Sequence, residues 1–232
     1  RQALEQLQRK DKLTAMGELA GGIAHEIRNP LNAIGIIAQR FQHEFTPTAD
    51  AEEFSALAQT IRSEVQRVNG IVTQFLEFAR PPRLHTERVD VAELLRDSIR
   101  VMDSRARAQG TAISVIAEAN VHAQLDRNRM QQALLNVLSN ALEALGAGGE
   151  IKCVLCRMHG RIALTVADTG PGIPEEQRSR IFNLYFTTKA NGTGLGLSLV
   201  HQIVSEHDGE ITVTSSPGAG ATFRMLLPDS ST

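Results

Sequence analysis

The chain has 232 residues, 42% of them hydrophobic, and its 24 basic and 26 acidic residues leave a formal net charge of −2. A chain of this length and composition can form one or two hydrophobic cores, and we expect two domains. Because Lys and Arg are scattered rather than clustered, the sequence predicts no nucleic-acid partner.

The sequence contains no apolar run long enough to cross a bilayer, and its first ten residues are charged and glutamine-rich. These features predict a cytoplasmic protein, attached to a membrane, if at all, only through an N-terminal region missing from this sequence. Cys153 and Cys156 are three residues apart on a predicted strand and therefore point to opposite faces. We interpret them as packing residues rather than as metal ligands or a redox pair.

Residues 1–80 carry two helical patterns of apolar residues. The first runs from Leu13 to Phe45 in steps of three and four, within roughly 80° of a helical wheel. The second follows the short "TPTAD" connection, from Phe54 to Ala79. The pair predicts an antiparallel helical hairpin that covers its apolar face by forming a four-helix bundle with a second copy, as a homodimer.

The consecutive prolines of residues 81–88 predict a linker, because proline cannot donate a backbone hydrogen bond and forces extended backbone. Residues 89–232 change to a mixed pattern, with helices that begin at Asp90 and Asp126 and a third near residues 196–209. Because strands and helices are grouped rather than strictly alternating, we expect an α/β sandwich with a mostly antiparallel sheet.

The helix from Asp126 has a polar face made of Gln132, Asn136, Asn140 and Glu143. Asparagine is unfavourable inside a helix, so two asparagines one turn apart suggest a functional role. Taken alone, a solvated face would be the favoured interpretation.

The "ADTGPGIPEE" stretch brings Asp168 from an apolar strand into a turn. Gly170 and Gly172 would let the backbone approach a flat ligand, and the carboxylate could accept a hydrogen bond from an exocyclic amine. An ordinary capped turn is the alternative.

The "NGTGLGLSLV" stretch places Gly192, Gly194 and Gly196 where an apolar helix begins. Backbone N–H groups at the positive end of a helix suit phosphate. A flexible entry to a helix is the alternative.

These motifs, in this order and with "IFNLYFTTK" between the last two, resemble sensor histidine kinases of two-component systems. Their ATP-binding domain belongs to a wider family with gyrase, Hsp90 and mismatch-repair ATPases. In the first half, "AHEIRNPLNAI" is similar to the family's phosphoacceptor motif. The resemblance therefore covers nearly the whole chain.

The resemblance implies ATP and Mg²⁺ as cofactors, with Asn140 as the metal ligand, Asn136 near the phosphates and Asp168 on the adenine amino group. It also implies that Lys189 contacts the γ-phosphate. The glycines are implied to line the site, Gly170 and Gly172 at the base and Gly192, Gly194 and Gly196 over the phosphates.

The chain departs from the family pattern at Glu143, where many members have a basic residue after the second asparagine. Lys189 then becomes the main candidate for the phosphate-contacting cation, with Arg178 or Arg180 as weaker substitutes. The segment between the two glycine motifs is short, as in the nitrogen-regulation class, which the chain resembles more closely.

His25 lies about 200° from Ile23 on the wheel, away from the apolar face and towards water. The resemblance implies that His25 is the phosphoacceptor and that Glu26 accepts the proton from its ring. Asn29, one turn further on, is implied to orient water for dephosphorylation of the partner.

The implied reaction is autophosphorylation of His25 by ATP, followed by transfer to an aspartate of a response-regulator receiver domain. Three alternatives stay open: a hydrolytic ATPase, a non-enzymatic scaffold and a serine kinase. The sequence identifies neither the input signal nor the cognate regulator, and it does not distinguish phosphorylation within one subunit from phosphorylation across the dimer.

Overall fold

A computed structural model describes residues 27–41, 44, 51–79, 84–189 and 193–229, with the backbone alone at 74–79. The chain divides into two compact units, residues 1–82 and residues 83–232. Within the described part, no helix is long and apolar enough to span a membrane.

The first unit contains two helices, α1 over residues 27–41 and α2 over Ala51–Ala79. They pack closely at Gly35, where an added Cβ would lie 3.3 Å from Cγ1 of Val65. Across the same pair, Arg28 Nη2 donates a 2.8 Å hydrogen bond to Thr73 Oγ1. The predicted helical pair is confirmed.

The contact between α1 and α2 uses only part of the predicted apolar pattern. Ala38, Ala58, Val65 and Val72 are buried between the helices. Several other apolar side chains of the two helices remain exposed, namely Ile27, Ile34, Phe41, Leu57 and Ile61. Each chain therefore keeps an uncovered apolar surface on its helical hairpin.

The second unit is an α/β sandwich, as predicted. Its helices are α3 (Val91–Ala108), α4 (Arg127–Leu145), α5 (Glu175–Arg178) and α6 (Gly196–Glu206). Its strands are β1 (Glu87–Asp90), β2 (Ala112–Ala117), β3 (His122–Leu125), β4 (Glu150–Met158), β5 (Arg161–Asp168), β6 (Glu210–Ser215) and β7 (Ala221–Pro228).

Five strands form one sheet in the order β2-β4-β5-β7-β6, in which only the β2–β4 pair is parallel. The α4 helix packs between α3 and α6, and all three contribute to one core with the sheet. Alternate residues of the strands supply the other side of that core, for example Ile151, Cys153 and Leu155 of β4. This packing holds α4 rigidly, and α4 carries the two asparagines.

The two cysteines are free, and their environments match the predicted packing role. Cys153 is completely buried in the core, whereas Cys156 is half-buried. Burial raises the pKa of the Cys153 thiol to about 11, so the reactive thiolate is suppressed at neutral pH.

Both predicted helix starts are confirmed by capping hydrogen bonds. Asp90 accepts from the backbone N–H groups of Ala92 and Glu93, and Asp126 accepts from that of Arg129. The sequence prediction missed β1, which begins inside the predicted linker and pairs with β3 in a separate antiparallel pair.

Candidate functional site

The two asparagines of α4 lie beside the start of α6. Both side chains are half-buried, whereas Leu134 and Leu138 on the opposite side of α4 are in the core. An added Cβ on Gly196 would lie 3.5 Å from Asn136 Oδ1 and 3.9 Å from Asn140 Nδ2. The two amides therefore flank the N-terminal end of α6, where unpaired N–H groups favour an anion.

Lys189 also reaches this end of the site. Its Nζ donates to Asn140 Oδ1 at 3.0 Å and to Glu143 Oε2 at 2.5 Å. The structure thus places the ammonium group against one of the two asparagines. The other basic candidates have different contacts: Arg178 lies 3.6 Å from Glu175, and the Arg180 guanidinium stacks 4.8 Å above the Phe186 ring.

Glu143 is held in turn by α3. Arg105 Nη2 lies 3.5 Å from Glu143 Oε1, and Ser139 Oγ donates to the same oxygen at 3.0 Å. Burial by itself would raise the pKa of Glu143, but the hydrogen bond and charge of Lys189, together with the Ser139 hydrogen bond and the Arg105 charge, lower that pKa overall. The carboxylate is therefore ionised at neutral pH and pairs with two cations.

Asp168 is the last residue of β5 and is 8% exposed. Its Oδ1 accepts hydrogen bonds from the backbone N–H of Gly170 at 2.8 Å and of Ala221 at 3.3 Å. Burial raises the pKa of Asp168, and the two hydrogen bonds partly oppose that effect. Because both bonds end on Oδ1, Oδ2 is the oxygen suited to accept from a ligand amine.

The turn after Asp168 requires glycine at two positions. Gly172 has φ +75°, and an added Cβ would lie 2.1 Å from the carbonyl oxygen of Ser216. At Gly170 a Cβ would lie 2.8 Å from Asp168 Oδ1 and 3.5 Å from Cβ of Ala144 on α4. This turn is therefore pressed against the same helix that carries the asparagines.

The segment before α6 closes against the "NLYF" residues. Gly194 has φ +67°, and an added Cβ would lie 2.4 Å from the carbonyl carbon of Tyr185. Phe182 and Phe186 pack against the core at the same place. The backbone of Gly194 is thus held tightly to the core at one end of the glycine motif.

The structure brings most of the predicted site residues into two clusters. Asn136, Asn140, Lys189 and Gly196 come together beside the start of α6, and Asp168, Gly170 and Gly172 form a second cluster that touches α4. Gly194 packs against Tyr185 and Phe186, before α6. Asn29 is exposed on α1, in the other unit. His25, Glu26 and Gly192 lie outside the described residues.

The sequence prediction missed the residues that support the predicted ones. Arg105 and Ser139 hold Glu143, and Ser215 Oγ accepts from the Ile173 N–H at 2.8 Å while it donates to the Gly220 carbonyl at 2.6 Å. The sequence signal for this region is the "PGAGA" turn that joins β6 to β7.

The donor atoms at Asn140 fit Mg²⁺. An amide oxygen is a ligand that Mg²⁺ accepts. Asn140 Oδ1 accepts a hydrogen bond from Lys189 with one lone pair, which leaves the other lone pair for a metal ion. In the described part of the chain, no three His, Cys, Asp or Glu side chains gather into a metal cluster.

Comparison with known proteins agrees with this site. The family model "His Kinase A (phospho-acceptor) domain" matches residues 15–83, and "Histidine kinase-, DNA gyrase B-, and HSP90-like ATPase" matches residues 125–231. The catalytic domain of histidine kinase ThkA is 32% identical, with a TM-score of 0.59 over 62% of this chain and 96% of that one. The chain belongs to the sensor histidine kinases of two-component systems.

Longer relatives extend the match within this family. Sensor histidine kinase ZraS of Escherichia coli K12 is 38% identical over 97% of this chain and 48% of its own length, so the chain spans about half of that relative. Full-length ShkA in complex with AMPPNP gives a TM-score of 0.78 at 29% identity, over 91% of this chain and 45% of that one. ThkA in complex with the response regulator TrrA gives a TM-score of 0.71 at 28% identity, over 99% of this chain and 66% of that one.

Proposed function

We propose that this chain is the catalytic core of a protein-histidine kinase, which phosphorylates His25 from ATP and passes the phosphoryl group to an aspartate of a receiver domain. The observation that carries the proposal is the convergence of Asn136, Asn140 and Lys189 at the start of α6. We assign residues 1–80 to dimerisation and phosphoacceptance, 81–88 to the linker and 89–232 to ATP binding.

The ATP site uses the two clusters on α4. Asp168 Oδ2 accepts from the adenine amino group, beside a turn that Gly170 and Gly172 keep free of side chains. Asn136, Lys189 and the start of α6 face the phosphates, with Gly192 and Gly194 in the covering segment. Mg²⁺ held by Asn140 would neutralise charge on the phosphate oxygens.

The first chemical step occurs on the imidazole of His25. One ring nitrogen attacks the γ-phosphorus, so that an N–P bond forms while the bond from that phosphorus to the bridging oxygen breaks and ADP leaves. The proton on the other ring nitrogen passes to Glu26. A neutral imidazole, with an unperturbed pKa of about 6.5, is available for this attack at neutral pH.

In the second step the N–P bond breaks and a P–O bond forms to an aspartate carboxylate of the receiver domain. The complex of ThkA with a response regulator supports a partner of this class. Asn29 is exposed on α1, where it can orient water against the phosphorylated partner, so we propose phosphatase activity as well. An Asn29→Ala variant that dephosphorylates the partner at full rate would contradict this role.

Two observations weigh against the alternatives. Hydrolytic relatives use a glutamate one turn before the metal-binding asparagine, and Asn136 occupies that position here, so activation of water is not expected. Asn140 and Asp168 both lie in contacts suited to nucleotide binding, which disfavours a purely conformational scaffold. The relation to the nitrogen-regulation class stays a prediction.

The deciding experiment is incubation with Mg-ATP labelled in the γ-phosphate, for the chain and its His25→Gln variant. We expect label on the chain that is acid-labile, alkali-stable and absent from the variant, because a phosphoramidate hydrolyses in acid. Label that survives in His25→Gln, or that resists acid, would favour a serine kinase instead. An absence of label from both would favour the scaffold.

A further inference from the structure

Glu143 is the unexplained residue of this site. It lies one turn after Asn140 on α4, where many relatives carry a basic residue, and a carboxylate near the phosphate end should repel a nucleotide. Yet its nearest partner is Lys189, whose Nζ lies 2.5 Å from Glu143 Oε2 and 3.0 Å from Asn140 Oδ1. Glu143 therefore holds Lys189 at the phosphate end of the site.

The carboxylate can do so because it is itself fixed. Arg105 of α3 donates to Ser139 Oγ at 2.9 Å and lies 3.5 Å from Glu143 Oε1, and Ser139 donates to that same oxygen at 3.0 Å. One oxygen of Glu143 is therefore anchored to α3 and α4, while the other holds Lys189. Arg105, Glu143 and Lys189 form a row of alternating charges that ends in a cation.

We propose that Glu143 is a positioning residue for phosphoryl transfer: its anchored carboxylate keeps the ammonium of Lys189 beside Asn140, at the phosphate end of the nucleotide site. This inference rests on the proposed kinase function. The cation is supplied by Lys189, a residue of the loop before α6, and an acidic residue on α4 sets its position.

The physical gain is preorganisation. A lysine side chain has four flexible carbons, and a free one would lose that freedom when it bound phosphate. With two of its three N–H donors already engaged, Lys189 retains one donor for a phosphate oxygen. A cation placed in advance stabilises charge that develops in the transition state, so its loss should lower kcat more than it raises KM.

The test is a double-mutant cycle with Glu143→Ala, Lys189→Met and the double variant, measured as kcat and KM for labelling of His25. We expect each single variant to lose roughly tenfold in kcat, with KM changed less than about threefold. The double variant should be no slower than Lys189→Met alone, because Glu143 acts through Lys189. The inference is overturned if Glu143→Ala lowers kcat by the same factor in the Lys189→Met background as in the wild type. It is also overturned if Glu143→Ala does not change kcat in the wild type.

A charge exchange separates positioning from a structural role. The variant E143K with K189E, in an Arg105→Ser background, keeps an ion pair between the two positions but moves the cation to the helix. Arg105→Ser removes the guanidinium, now 3.5 Å from Glu143 Oε1, that would repel the new lysine. We expect it to recover at least half of the kcat lost by Glu143→Ala. Recovery of less than half would overturn the inference, since a correctly placed cation would then not be what Glu143 supplies.

The matched control is Glu118→Ala. The Glu118 side chain is 42% exposed, against 39% for Glu143, and pairs with Arg157 at 2.9 Å away from the asparagines. The Glu118→Ala variant should leave kcat unchanged. Thermal unfolding of all variants checks that they are folded. Labelling of the wild-type chain that disappears in the His25→Gln variant checks the kinase activity itself. If that labelling is present while Glu143→Ala behaves as Glu118→Ala does, only the positioning role fails.

Discussion

The buried carboxylate of Asp168 destabilises the ligand-free protein at neutral pH and is suited to bind a ligand amine. Burial raises its pKa above the ordinary 3.8, so the folded protein disfavours the ionised form. A group with a raised folded pKa stabilises the fold below its unfolded pKa, and that stabilisation is lost as pH rises through the folded pKa. At neutral pH the ionised Asp168 therefore costs stability, which an amine donor from the nucleotide would offset.

Replacing Asp168 with Asn tests the effects of this carboxylate on nucleotide affinity and on stability. The amide oxygen can take the place of Oδ1, which accepts from Gly170 and Ala221, and this leaves an NH₂ group where the adenine amine needs an acceptor. We expect the affinity for ADP to fall by about 1.5–3 kcal/mol, roughly ten- to hundredfold in Kd. Calorimetric titration at pH 7 measures this loss.

The same variant should unfold, without nucleotide at pH 7, at a temperature no lower than the wild type, because it removes a buried charge. The protection that ADP gives against thermal unfolding should shrink in parallel with affinity. Unchanged ADP affinity would contradict the assignment of Asp168 to the adenine, whatever the unfolding temperature.

At the scale of elements, α4 is fixed at its N-terminus by Asp126. Oδ1 of Asp126 accepts from the Arg129 N–H at 3.1 Å, Oδ2 accepts from the His85 N–H at 3.0 Å, and its own N–H donates to His207 Nε2 at 2.9 Å. These bonds join the start of α4 to the segment before β1 and to the residue that ends α6. The helix that carries both asparagines is therefore tied to its neighbours at one residue.

An Asp126→Ala variant should lose about 1–2 kcal/mol of unfolding free energy, the usual cost of a lost N-cap. Denaturant unfolding at pH 7 measures the loss, and Asp126→Asn, which can still cap, should lose less.

Burial acts to raise the pKa of Asp126, but the hydrogen bonds from His85 and Arg129 lower it overall below the ordinary 3.8. The charge-dependent part of its stabilisation is therefore present above pH 3.8 and is lost as pH falls through the folded pKa, so the difference between wild type and Asp126→Ala should shrink in strong acid. An equal loss at both pH values would exclude the carboxylate as its source.

The sequence was sufficient for elements with a strong local signal. Asp90 and Asp126 mark helix starts because a capping side chain precedes an apolar periodic run. The β1 strand was missed because it has four residues, of which only Val89 is buried, and its pairing with β3 depends on a distant segment. Ala221 reaches Asp168 from 53 residues away, and Arg105 reaches Glu143 from a different helix, so neither contact could be inferred from spacing.

At the scale of the whole molecule, the helical hairpin leaves apolar side chains in water. Ile34 is 45% exposed, Leu57 59% and Ile61 42%, while the α1–α2 contact is made by smaller residues such as Ala38 and Ala58. Large apolar side chains that stay exposed on two neighbouring helices indicate a surface for another protein. The match to a phosphoacceptor domain over residues 15–83 and the helical periodicity favour a second copy of the same hairpin.

We therefore expect the chain to be a dimer whose mass by light scattering is twice 25.3 kDa, and Ile61→Glu to shift it towards the monomer. Burying an unpaired carboxylate in an apolar interface costs several kcal/mol per site, and twofold symmetry introduces the charge twice. Gln59→Glu places the same charge on an exposed position of α2 and should leave the dimer intact. If both variants dissociate equally, net charge rather than the apolar surface controls assembly. If Ile61→Glu remains dimeric at micromolar concentration, the second copy does not cover this part of the hairpin.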